Sequence, residues 1–192
     1  MPKLYDKALF GLDLSTTGVK AVELERRRRR YLVTGFAVEP LAPEAIADQA
    51  VMDTEAVASA ITRARKGAKT RRKYVAASVA GAGVITKKIS IPAGLEDQEQ
   101  QTQVEMEADH HLPAGIESMY LDYQILGPDP QDEANQVEAL LVACKREEID
   151  GHLQAIERAG LKAAVVDVDP FAVQAVEVGG QGGHQGLALA RL

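Results

Sequence analysis

The sequence predicts an α/β chain of one or two domains, and three observations bear on that prediction. The chain opens as a meander of short apolar strands broken by turn residues. A helix of clear 3.6-residue period then separates this meander from further strands. After Pro92 the character changes, and a polar helix and a strand pair intervene before one last apolar strand.

Each element follows from local pattern. Ala8 to Leu14 (ALFGLDL) reads as an apolar strand, Ser15 to Gly18 as a tight polar turn, and Val19 to Glu25 as a second strand. In that strand Val19, Ala21 and Glu23 share one face, while Lys20, Val22 and Leu24 share the other. Arg26 to Arg30 form or flank the next turn, and Tyr31 to Val38 makes a third strand. Asp53 is placed to cap a helix over Thr54 to Lys66, with Val57, Ala60, Ile61 and Ala64 on one stripe. Strands follow at Tyr74 to Val79 and Val84 to Ile91, separated by Ala80 to Gly83, and Pro92 ends the second. Glu96 to Leu112 is a polar helix with Val104, Ala108 and Leu112 as its apolar face, broken by Pro113 and Gly115. Met119 to Leu126 and Val137 to Cys144 read as paired strands. A helix over Glu147 to Ala159 presents Ile149, Leu153 and Ile156 and stops at Gly160. Lys162 to Asp169 is a buried-type strand, and Pro170 opens a short helix through Val178. Gly179 to Arg191 holds five glycines without periodicity and is expected to be a linker or a frayed end.

Composition narrows the class. The 192 residues are 46% hydrophobic and 26% charged, as in an ordinary globular protein, and no apolar run is long enough to span a membrane. Aromatics reach only 4% with no Trp, so the core is expected to be aliphatic. The lone Cys144 excludes an internal disulfide and fits a reducing compartment; it reads as a small buried hydrophobe. Met1 to Lys7 has no apolar stretch of the signal-peptide kind, so a soluble, cytoplasmic chain is expected. Net charge is −6, yet 17 of the 22 basic residues fall within the first 88 positions. They concentrate at Arg26 to Arg30 and at Arg63, Arg65, Lys66, Lys69, Arg71, Arg72 and Lys73, while acidic residues gather between Glu96 and Glu133. These runs read as solvated faces and turns before they read as surfaces for anionic lipid or a basic protein. Nucleic acid is disfavoured further, because no aromatics interleave with the cations.

The first hairpin has a chemistry of its own. Ser15, Thr16, Thr17 and Gly18 offer consecutive backbone N–H groups and three hydroxyls, donors that suit a phosphate. Asp13, at the strand end, is placed to hold Mg²⁺ through water, and Lys20 to reach the same anion. On residues alone a plain hairpin, its hydroxyls satisfying their own turn, is the simpler account. Elsewhere, His110 and His111 are helical neighbours that do not share a face and read as a surface helix end. Asp167 and Asp169 read as caps for the following helix rather than as a catalytic pair.

Three motifs in order carry a family resemblance. They are Phe10 to Leu24 (FGLDLSTTGVKAVEL); Lys73 to Val79 (KYVAASV) with Lys87 to Pro92 (KKISIP); and Glu105 to Asp109 with Leu112-Pro113, Leu121 to Tyr123, Val142-Ala143 and Val166 to Ala172 (VDVDPFA). The first resembles the phosphate motif of the actin, hexokinase and heat-shock-70 superfamily. Together, from residue 8 to about 176, they resemble its branch in type IV pilus assembly, the PilM family. The resemblance implies an actin-like (ribonuclease H-like) first lobe. Its larger subdomain joins residues 1–92 to 162–178, its inserted α+β subdomain covers 93–160, and 179–192 form a flexible tail. The matching residues end before a second lobe, so a chain without that lobe is expected. The resemblance further implies a cytoplasmic adaptor at the inner membrane that binds the cytoplasmic tail of a PilN-like membrane protein. Other pilus motor components are possible partners, membrane association is peripheral and made through partners, and no nucleic acid is involved. No catalytic residue is assigned. ATP and Mg²⁺, weakly held or absent, would contact Asp13, Ser15, Thr16, Thr17 and Lys20, with Asp13 toward the metal. One departure bears on affinity: the family usually has Gly where this chain has Ser15, and a side chain there crowds a phosphate. The rival reading is an ATPase or sugar kinase of the same superfamily, which needs a catalytic carboxylate and a second lobe; a non-functional fragment is the third.

Overall fold

The computed structural model describes residues 8–28, 30–79, 83–112, 115–169 and 190–191. The chain divides into two compact units, residues 1–81 with 147–192, and residues 82–146. The second is thus inserted into the first, with borders that differ from those the family resemblance implies.

The first unit is built on one mixed sheet. Strands β1 (Leu9–Ser15), β2 (Gly18–Arg27) and β3 (Arg30–Pro40) form the antiparallel meander. A two-residue-strand hairpin, β4 (Ile46–Ala47) and β5 (Ala50–Val51), follows, turning on Asp48 and Gln49 at positive φ; the sequence reading does not contain it. Helix α1 (Thr54–Gly67) begins where Asp53 Oδ1 accepts the Ala56 N–H at 2.9 Å, the cap expected from sequence. Strand β6 (Tyr74–Val79) then lies parallel to β1 on the side away from β2.

Burial explains why these segments are strands. In β1 Phe10, Leu12 and Leu14 are buried and alternate with half-buried Leu9, Gly11, Asp13 and Ser15. Val19 and Ala21 of β2 are buried on the same side, and Val57, Ala60, Ile61 and Ala64 of α1 join them in one core. That core is aliphatic apart from Phe10, its largest fully buried side chain. Phe36, also on a strand, is 62% exposed.

The inserted unit is a three-stranded antiparallel sheet with a helix. Its strands are β7 (Val84–Pro92), β8 (Met119–Pro128) and β9 (Gln136–Lys145) in the order β7-β9-β8, and α2 (Asp97–His111) lies between β7 and β8 in the chain. Val104, Ala108 and Leu112 pack with Ile89, Ile91, Leu141 and Ala143, so the polar helix buries the face its sequence shows. His110 and His111 are exposed at its end, and Cys144 is buried in β9.

Here the expected border needs correction. Residues 84–92 were expected in the larger subdomain, but β7 pairs with β9 along its whole length, from Val84↔Cys144 to Pro92↔Gln136. Helix α3 (Arg146–Arg158) was expected in the insert, but Ala155 and Ile156 belong to the core of the first unit. Local pattern shows that a strand or helix exists; it does not show which neighbour covers its apolar face. The stripe on α3 also shifts. Ile149, His152, Ala155 and Ile156 are buried, whereas the expected Leu153 is only half-buried.

Gly160 ends α3 at φ 73°, as its position suggests. Strand β10 (Lys162–Val168) runs parallel to β6. The expected helix from Pro170 to Val178 lies outside the described residues. So does the expected flexible tail, except for Ala190–Arg191, which form β11 and pair antiparallel with Val166 and Val165 of β10. The main sheet therefore reads β11-β10-β6-β1-β2-β3.

His152 is expected to make stability pH-dependent. It is 5% exposed, and its Nδ1–H donates to the Glu148 carbonyl at 2.7 Å. Burial holds its pKa below the ordinary imidazole value, outweighing the Glu148 carbonyl and carboxylate, which raise it. Below the unfolded value of about 6.5 the unfolded chain therefore binds more protons at this site, and stability falls as pH falls toward the lower folded value. Urea titrations of wild type and His152→Leu between pH 5 and 8 should differ in slope by up to about 1.4 kcal/mol per pH unit below pH 6.5. Parallel curves would show that His152 does not bury a neutral ring.

Candidate functional site

The phosphate-type hairpin sits at the carboxyl ends of the parallel strands β1, β6 and β10, where open α/β sheets place their sites. Ser15 pairs with Gly18, so the turn itself is Thr16-Thr17, and both threonines are exposed. Neither takes positive φ, as suits β-branched residues. Gly18 is required by packing: a Cβ there would stand 2.7 Å from the Glu39 carbonyl oxygen on β3.

The five candidate residues come together, but not all are available to a ligand. The Ser15 hydroxyl donates to the Gly18 carbonyl at 2.9 Å and lies 3.4 Å from Thr17 Oγ1. It therefore closes the turn, as the simpler account of this hairpin has it. Lys20 stands opposite Asp13 across β1 and β2, and its Nζ donates to Asp13 Oδ2 at 2.6 Å. That hydrogen bond and charge, with the Asp169 carboxylate added, raise the Lys20 pKa; slight burial opposes them. Lys20 is half-exposed, so the pair itself adds little stability. A phosphate seeking the ammonium must compete with Asp13. As a metal site, Asp13 is one carboxylate already engaged by a lysine. Among the described residues no three His, Cys, Asp or Glu side chains converge on a point that could hold an ion. The donors thus fit a phosphate contact better than direct coordination of Mg²⁺.

The register adds two residues that the sequence reading did not place here. Asp13 pairs with Ser78 on β6, and Ser78 with Asp167 on β10. Lys20, Asp13, Ser78 and Asp167 therefore form one row across four adjacent strands, with Asp13 and Asp167 about 10 Å apart at two strand spacings. Asp167 Oδ1 accepts the Val168 N–H at 2.7 Å, and Asp169 acts electrostatically on Lys20. The signal was present in sequence as one polar residue near the end of each apolar strand. Only strand pairing shows that these ends are adjacent.

A meander β3-β2-β1 continued by parallel β6 and β10, two helices packed on its core and an α+β unit inserted after β6 define an actin-like (ribonuclease H-like) fold. The chain belongs to the type IV pilus assembly protein PilM family, whose model matches residues 11–180. A solved structure described as a PilM-PilN type IV pilus biogenesis complex matches with a TM-score of 0.76 and 29% identity, over 86% of this chain and 48% of that one. The chain thus spans about half the length of that relative. The cytoplasmic domain of EpsL, an inner membrane component of the type II secretion system of Vibrio cholerae, shares the fold at a TM-score of 0.50 and 12% identity. That match covers 83% of this chain and 56% of the EpsL domain. No helix among the described residues is long and apolar enough to cross a membrane.

Proposed function

We propose that this chain is a scaffold of the type IV pilus assembly machinery, at the cytoplasmic face of the inner membrane, that binds the cytoplasmic tail of a PilN-like protein and does not turn over nucleotide. The observation that carries the reading is the 86% coverage of this chain by a relative solved in a PilM-PilN complex. The site geometry supports the second half of the proposal. Lys20 is committed to Asp13 and the Ser15 hydroxyl to its own turn, which leaves Thr16 and Thr17 as the ready phosphate contacts. Any ATP and Mg²⁺ held here would be held weakly, through Asp13, Ser15, Thr16, Thr17 and Lys20.

A fluorescence titration with a PilN-type amino-terminal peptide tests the partner. Binding in the micromolar range is expected, with a scrambled peptide at least tenfold weaker. Equal binding of both, or none at about 100 μM, removes the scaffold reading. Phosphate release from Mg-ATP should stay far below about 1 s⁻¹; turnover at that rate that disappears in Asp13→Ala would replace the scaffold with an ATPase.

A further inference from the structure

Two basic runs that lie some forty residues apart in sequence meet at one end of the main sheet. We infer that together they dock the protein directly onto an anionic phospholipid bilayer. The first run is the ribbon formed by the outer ends of β2 and β3. Among the described residues, Glu25, Arg26 and Arg27 pair only with Leu32, Tyr31 and Arg30, beyond the start of β1 at Leu9. The second is the loop from α1 to β6. Arg72 joins the two: its guanidinium donates to the carbonyls of Leu9 and Leu24 and pairs with Glu23 at 3.4 Å. Glu23, Lys69, Arg71, Arg72 and Lys73 line a single open concavity of about 690 Å³.

Charge on this surface is unbalanced. Arg27 is paired with Glu25 and Arg72 with Glu23. Arg26, Arg28, Arg30, Lys69, Arg71 and Lys73 are exposed, and no carboxylate among the described residues forms an ion pair with them. This stands in a chain of net charge −6, so the cations are concentrated rather than general. Arg28 holds φ 56° at the ribbon tip, a position where Gly or Asn would be more comfortable.

Apolar groups decide among anionic partners. Tyr31, Leu32 and Val33 on the same ribbon are 67%, 46% and 57% exposed. Arginines beside exposed apolar and tyrosine side chains match the boundary between headgroups and acyl chains. Single-stranded nucleic acid would ask for several aromatic faces to stack its bases, and this surface presents only exposed Tyr31 and half-buried Tyr74 among the described residues. A duplex needs the cations alone and is separated from lipid by the test below. The inference is independent of peptide binding and of the nucleotide contacts.

Co-sedimentation of the 192-residue chain with vesicles tests it, comparing 30% phosphatidylglycerol in phosphatidylcholine with phosphatidylcholine alone. Binding should require the anionic lipid and weaken steeply between about 0.1 and 0.5 M salt. Arg26→Gln/Arg28→Gln/Arg30→Gln, and separately Lys69→Gln/Arg71→Gln/Lys73→Gln, should each lose about a hundredfold, at roughly fivefold per charge. Circular dichroism and melting confirm that each variant folds. Tyr31→Ser/Leu32→Ser should weaken vesicle binding about tenfold while leaving binding to a 20-base-pair DNA duplex unchanged. Equal binding to both vesicle types overturns the inference, as does loss from only one of the two charge variants. A duplex bound as tightly as the vesicles, with Tyr31→Ser/Leu32→Ser bound normally to both, assigns the surface to polyanions generally and overturns it too.

Discussion

Phe10→Ala is expected to cost about 4 kcal/mol of stability, within the 3–5 kcal/mol typical of emptying a buried aromatic site. Phe10 is 1% exposed on β1, the strand flanked by β2 and β6, in the core that α1 supplies with Val57 and Ile61. The loss combines the transfer free energy of the ring with the cavity left behind, because the neighbouring strands cannot close on it. Against a total stability of about 5–15 kcal/mol this threatens the fold at 37 °C. Urea unfolding followed by circular dichroism reads the effect, which suits a chain without Trp. Phe10→Leu should recover most of it. Phe36→Ala, at a 62% exposed position, should stay within about 0.5 kcal/mol. A similar cost at both positions would show that Phe10 is not the centre of the core.

Gly35→Ala is expected to destabilise by about 3 kcal/mol, the upper part of the range for overpacking. A Cβ at Gly35 would stand 2.2 Å from the carbonyl oxygen of Ala68, just past the end of α1. The obstacle is backbone, so either α1 lifts from β3 or the strand shifts. Gly11→Ala offers the contrast. Its Cβ would meet Val22 Cγ1 at 2.9 Å, a half-buried side chain that can rotate, and a cost of about 1 kcal/mol is expected. Thermal melts of the two variants should therefore separate clearly. Equal shifts would mean that the approach of α1 to β3 is looser than the structure shows.

Much of the local structure was legible in the sequence, because its causes are local. Alternation along Phe10, Leu12 and Leu14 marks a strand with one buried face, and the 3.6-residue stripe of Val57, Ala60, Ile61 and Ala64 marks a helix. Asp53 caps that helix with an oxygen three residues from its target. The motif order from Phe10 to Ala172 was enough to point to the family, and the Thr16-Thr17 hairpin was visible as a turn.

Tertiary structure decided what depends on partners distant in sequence. Strand pairing assigned β7 to the inserted sheet and brought Ser78 and Asp167 into one row with Asp13 and Lys20. Packing chose His152 over Leu153 for the buried side of α3 and separated Phe10 from Phe36. It also joined the arginine ribbon to the Lys69–Lys73 loop through Arg72. Periodicity in a segment reports which of its faces is apolar, a property of a few neighbouring residues. Which surface covers that face is set by contacts between residues tens of positions apart, and these exist only once the chain has closed on itself.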